Sequence, residues 1–205
     1  MMRSILFFIL SLFILPGCGS QKVITTKYYV IEIERDSIGE RDINRPPVID
    51  QYCEIGQVEV YPAYASTQIA NRSDIKELTF YAYHQWAIRP AESFTRIIQD
   101  YFDHEPVFKS TSGRFWKIDP AYRIETTVYH MEVIQEHNLF SAHLDVEFLL
   151  RETDQGTVVI HHQADETVAL AEKDINLLAS AVGEIFFREL SRFSDKIIQE
   201  IPDVQ

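Results

Sequence analysis

Cysteine is nearly absent from this chain. It has two, Cys18 and Cys53, in 205 residues, too few for a disulfide framework, so a packed core must hold the fold. Glycine is scarce as well, at seven. Phosphate-cradling loops need glycine where backbone N–H groups approach an anion, and neither a Walker loop nor a dinucleotide-binding turn occurs. The nucleophile elbow G-x-S-x-G and the zinc motif H-E-x-x-H are also missing. Cations are outnumbered, with 19 Lys and Arg against 31 Asp and Glu, for a formal charge of −12. So acidic a surface is repelled by nucleic acid and by anionic lipid, which argues against nucleic acid as a partner. No repeat of solenoid length, low-complexity tract or second domain is visible.

What is present begins at the first residues. Arg3 precedes an apolar run from Ile5 to Leu15, broken only by Ser11, and Pro16-Gly17-Cys18 follows. A charged start, a short apolar stretch and a small-residue end describe a secretory signal peptide. The run is shorter than the ~20 apolar residues a spanning helix needs. Leu15, Gly17 and Cys18 resemble the bacterial lipobox at positions −3, −1 and +1. The expectation is a lipoprotein signal peptide at 1–17, a lipidated cysteine and tether at 18–26, and one domain at 27–205. The lipobox resemblance implies that Cys18 is the lipidation site and carries two or three acyl chains, palmitate among them. Each buried methylene contributes ~0.8 kcal/mol, so several chains anchor a protein durably. Gly19 and Ser20 follow with no Asp at +2, which favours the outer membrane over the inner. Cys53, left without a partner, reads as a small buried hydrophobe.

Hydrophobic content of 46% suits a globular core. Tyr28 to Ile33 has strand composition, Asp36 to Pro47 reads as loop, and Tyr52 to Tyr61 is a strand ended by Pro62. Ala63 to Lys76 reads as irregular and Glu77 to Trp86 as strand. A helix opens at Pro90, with Phe94, Ile97, Ile98, Tyr101 and Phe102 on one stripe, and stops before Pro106. Tyr122 to Ile134 is a long strand. Leu139 to Arg151 alternates, with Phe140, Ala142, Leu144, Val146, Phe148 and Leu150 on one face. Asp154-Gln155-Gly156 turns the chain into Thr157 to Leu170. Asp174 caps a last helix reaching about Glu200, with Ile175, Leu178, Val182, Ile185, Phe186, Phe193 and Ile197 on its apolar side. A sheet with one apolar face needs a cover, and two amphipathic helices supply it. The fold class is therefore α+β, a two-layer sandwich of a mostly antiparallel sheet with both helices on one face.

His143, Asp145 and Glu147 share the polar face of one strand, with His162 or Gln163 opposite across the turn. Such a set is either a metal site or a solvated sheet face. The solvated face is adopted, since no apolar pocket is evident to shift a carboxyl. No catalytic residue, metal ligand or cofactor is assigned. Phe80, Tyr81, Tyr83 and Trp86 either line a ligand groove or pack in the core.

One stretch is more specific. Val58-x-Val60-x-Pro62-x-Tyr64, Gln68-Ile69-x-x-Arg72, Leu78, Tyr81, Trp86-Ala87, Pro90, Phe94, Arg96 and Ile98 together resemble the ABC-type transport auxiliary lipoprotein family, the PqiC-like lipoproteins. The resemblance, not composition or spacing, implies a non-enzymatic role. It implies an outer-membrane-anchored periplasmic accessory lipoprotein of an ABC/MCE-type intermembrane lipid transport system. Such a protein docks a partner, an MCE-domain or ABC transporter component, and phospholipid is a further expected contact. Tyr64, Arg72 and Trp86, on the shared motif, become the candidate partner or ligand face. The alternative is a structural envelope lipoprotein of another assembly, such as lipopolysaccharide or secretion machinery.

Overall fold

Two long antiparallel ladders form the centre of the fold. In this computed structural model, which describes residues 24–33, 45–137 and 139–201, strand β7 (Tyr122–Glu136) pairs with β8 (Leu139–Glu152), and β8 with β9 (Val158–Leu170). On β8, Ala142, Leu144, Val146, Phe148 and Leu150 are all fully buried. Two helices cover that face, α1 (Pro90–His104) and α2 (Ile175–Glu200). Phe148 packs against Phe186 and Phe193 of α2, and Phe186 stacks on Phe94 of α1 at 4.3 Å between ring centroids. Each such aromatic contributes ~1.5–3 kcal/mol by leaving water. Every residue of the two expected helical stripes is buried. Pro90 opens α1 at the first turn, and the Asp174 carboxylate accepts from the Asn176 N–H at 2.8 Å to cap α2.

The other edge of β7 is shared by three short strands in turn. These are β2 (Ile49–Ile55), β3 (Glu59–Val60) and β4 (Gln68–Asp74), each parallel to β7. Beyond them, β5 (Glu77–Trp86) runs antiparallel to β4, β6 (Phe108–Ser112) parallel to β2, and β1 (Lys27–Tyr29) parallel to β5 at the sheet's edge. The long ladders keep most of the paired residues antiparallel.

Several expectations change. The strand read over Tyr52 to Tyr61 is split. Gly56 still donates its N–H to the Ile124 carbonyl, with a Cβ there only 3.0 Å from that oxygen, and pairing to β7 resumes at Glu59 after one extra residue, which separates β2 from β3. The segment read as irregular contains β4, whose edges are both paired despite a polar sequence. β6 had no counterpart in the sequence reading. Of Tyr28 to Ile33, only the first two residues belong to β1. The chain then runs as a strap between the helices, with Ile31 buried and the Glu32 carbonyl against Gly183 of α2. Residues 1–23 and most of the loop read over Asp36 to Pro47 lie outside the described residues, and so does Cys18. Among the described residues, no helix is long and apolar enough to cross a membrane.

One irregularity positions the site. The β7–β8 register shifts between Val128 and His130. Before it, Ile124, Thr126 and Val128 pair with the helix-facing Leu150, Phe148 and Val146. After it, Met131 and Val133 take the helix-facing positions opposite Leu144 and Ala142. The extra residue, a β-bulge, thereby turns His130 and Glu132 to the uncovered face.

Candidate functional site

On that face a carboxylate is enclosed. The Glu132 side chain has no solvent exposure. Tyr64, from the turn after β3, donates its hydroxyl to Oε2 at 2.7 Å. Arg72 of β4 donates Nε to Oε1 at 2.6 Å and Nη2 to the Tyr64 hydroxyl at 2.9 Å. His143 of β8 places Nδ1 3.2 Å from the same Oε1, and its Nε2 lies 2.8 Å from Asp165 of β9. A neutral imidazole can donate from only one nitrogen, so holding both carboxylates requires the imidazolium. His130 stacks on His143 at 5.4 Å and meets Asp145 at 3.2 Å, and Gln163 also reaches Asp145.

The electrostatics follow from these contacts. Burial works to raise the Glu132 pKa, but hydrogen bonds from His143, Arg72 and Tyr64 outweigh it and bring it down to about 2. Burial works against the charged form of His143, and hydrogen bonds to Glu132 and Asp165 reverse this, so its pKa is raised. Burial and the Glu132 hydrogen bond push Tyr64 up to about 12. A carboxylate this acidic, with its lone pairs taken by three donors, is a poor general base at neutral pH. The arrangement clamps β4, the turn after β3, β7, β8 and β9 together.

The structure therefore brings Tyr64 and Arg72 together, on a residue that the sequence reading did not select. Trp86 lies apart from them, buried in the core, and its indole N–H has no partner among the described residues. His143, Asp145 and Glu147 do share one face, but not as a plain solvated surface, since Tyr64 and Arg72 cover its middle. Glu147 is held by Tyr129 at 2.8 Å and His161 at 2.9 Å. His162 points the other way, to Glu189 of α2 at 3.0 Å. Among the described residues, no group of three or more His, Cys, Asp or Glu is disposed to hold a metal ion. Of the aromatic stretch, Phe80 and Tyr83 are exposed, while Tyr81 packs against the core with Trp86. Cys53 is fully buried, and burial pushes its thiol pKa up, which makes it unreactive.

Two functional-looking residues escaped the sequence reading. Glu132 is invisible without the bulge. Glu189 left a signal: it falls among Val182, Ile185, Phe186 and Phe193 on the apolar stripe, and it is buried there between Arg188, Arg192 and His162.

The family model of the ABC-type transport auxiliary lipoprotein component matches residues 41–192. Comparison with curated proteins finds no match. Among solved structures, a Xanthomonas campestris protein of the DUF330 family superposes with a TM-score of 0.69 at 13% identity, over 84% of this chain and 95% of that one. A second, described as an uncharacterized protein, gives 0.66 at 12% identity, over 84% and 99%. The hypothetical protein CT253 from Chlamydia trachomatis gives 0.50 at 8% identity, over 73% and 98%. At these identities the structures share a fold and nothing more is read from them. The family match is of another kind, because it runs from before β2 into α2 and takes in the whole Glu132 cluster: the chain belongs to the ABC-type transport auxiliary lipoprotein component family.

Proposed function

We propose that this chain is an outer-membrane-anchored periplasmic lipoprotein that serves an ABC/MCE-type lipid transport system by docking a partner protein. The observation that carries the reading is the family match over residues 41–192. That family is an auxiliary transport component and not an enzyme family. In this reading Cys18 carries the acyl chains, 18–26 is the tether, and the described domain is the docking body. Fully extended at ~3.5 Å per residue, the tether reaches roughly 30 Å, and a domain of this size has a radius of gyration of ~16 Å. Lipid, tether and domain thus stay near one membrane, so a bridge to the other membrane needs a second, longer component. The Glu132 clamp fits a docking body, since it rigidifies the sheet without offering a free acid or base.

The test is affinity purification of the tagged full chain from detergent-solubilised membranes. An MCE-domain protein should co-purify and persist through moderate salt, which screens only exposed charge. Recovery of a lipopolysaccharide or secretion component in its place would shift the assignment to the structural-lipoprotein alternative.

A further inference from the structure

From Tyr28 to Ile31 the first described segment is apolar on both of its sides. Tyr29 and Ile31 are 8% and 5% exposed, turned into the core. The alternate residues Ile24, Tyr28 and Val30 are 61%, 66% and 43% exposed. Neighbouring them, Tyr83 of β5 and Ile88 just after it are also exposed, at 48% and 43%. A strand that follows a polar-out rule would not place these residue types outward, and a contiguous patch of this kind marks a contact surface. Among the described residues β1 pairs with β5 alone, and no other strand lies along its outer edge.

We infer that this edge of the sheet, built on Ile24, Tyr28, Val30, Tyr83 and Ile88, lies against the phospholipid surface that holds the anchor. The inference rests on the proposed acylation of Cys18. Chain length selects the occupant. Nine residue steps separate Cys18 from Lys27, where pairing to β5 begins, which at ~3.5 Å each allows roughly 30 Å between the acylated residue and the start of the sheet. The segment cannot peel away to lengthen that leash cheaply. Its backbone is paired to β5, Ala87 donates to the Tyr29 carbonyl at 2.7 Å, and the Glu32 carbonyl is seated against Gly183. The edge is thus the part of the described fold held closest to the bilayer. The formal charge of −12 removes general attraction to anionic lipid, so contact must come from apolar and aromatic groups. Tyrosine rings flanked by aliphatic side chains suit the boundary between headgroups and acyl chains.

The test uses the full acylated chain in vesicles of phosphatidylethanolamine and phosphatidylglycerol. A nitroxide is placed at Tyr83→Cys, and for contrast at Trp116→Cys. Trp116 is 81% exposed and follows β6, at the opposite end of the strand order from β1. Cys53, being buried, stays unlabelled. Collision with oxygen relative to a water-soluble nickel complex should be several-fold higher for the Tyr83 label than for the Trp116 label. A Tyr83 label no more lipid-accessible than the Trp116 label overturns the inference. Mass spectrometry of the same sample separates the two failures. An acylated Cys18 with equal ratios sinks the docking face alone, and an unmodified Cys18 sinks the anchor and the face together.

Discussion

Glu132 is a fully enclosed carboxylate held by Tyr64, Arg72 and His143, and it sets two expectations. Replacing Arg72 by Leu removes one of its two cationic partners and leaves the carboxylate buried beside His143 and the Tyr64 hydroxyl. Breaking a buried pair in this way costs ~3–5 kcal/mol, and urea unfolding should show it. The second expectation concerns pH. The folded pKa of Glu132, about 2, lies below its ordinary value of 4.5, so its stabilisation is complete above pH 4.5 and is lost as pH falls toward 2. His143 is raised above its ordinary 6.5, so its stabilisation is complete below pH 6.5 and is lost as pH rises through the elevated folded value. Thermal stability should therefore peak between these limits and decline on the alkaline side. His143→Gln should flatten that decline, and an unchanged alkaline slope in the variant would remove His143 from the account. Little of this was legible in the sequence. Alternation in β8 correctly put His143, Asp145 and Glu147 on one face, but their covering comes from Tyr64 and Arg72, 68 and 60 residues before Glu132. Local periodicity carries no information about such partners.

At the level of elements, legibility followed how strongly each piece relies on its own pattern. The two helices and β8 bury a regular stripe or face, β7 does so on either side of its bulge and β9 half-buries alternate residues, and all appear within a few residues of where periodicity places them. β4 and β6 do not, because QIANRSD and FKSTS hold few apolar residues and exist as strands through their neighbours' hydrogen bonds. Asp174 was legible as a cap, and Asp174→Ala should cost ~1 kcal/mol of stability in chemical denaturation. Gly183 was not, because its importance lies in a strap more than 150 residues earlier in the chain. A Cβ there would sit 2.8 Å from the Glu32 carbonyl oxygen, so Gly183→Ala must push the strap out or shift α2. The expected loss is ~1–3 kcal/mol, with faster hydrogen exchange at the backbone of β1. Wild-type exchange at β1 in that variant would show that the strap is not pinned by this contact.

For the whole molecule, a one-sided sandwich leaves the second face of its sheet free of helices among the described residues, and the Glu132 clamp ties strands together on that face. Both features fit the proposed docking body. Family membership supplies the transport context, while the fold supplies a sheet braced by the Glu132 clamp, with β1 at one edge. The claim on which the rest depends is that this body is tied to a membrane through Cys18. Density-gradient fractionation of envelopes from cells making the full chain or its Cys18→Ser variant tests it most directly. The account predicts that the wild-type chain sediments with the outer membrane and leaves it only in detergent, while the variant stays out of the membrane fraction under detergent-free extraction. A variant that remained with the membrane as firmly as the wild-type chain would contradict the account.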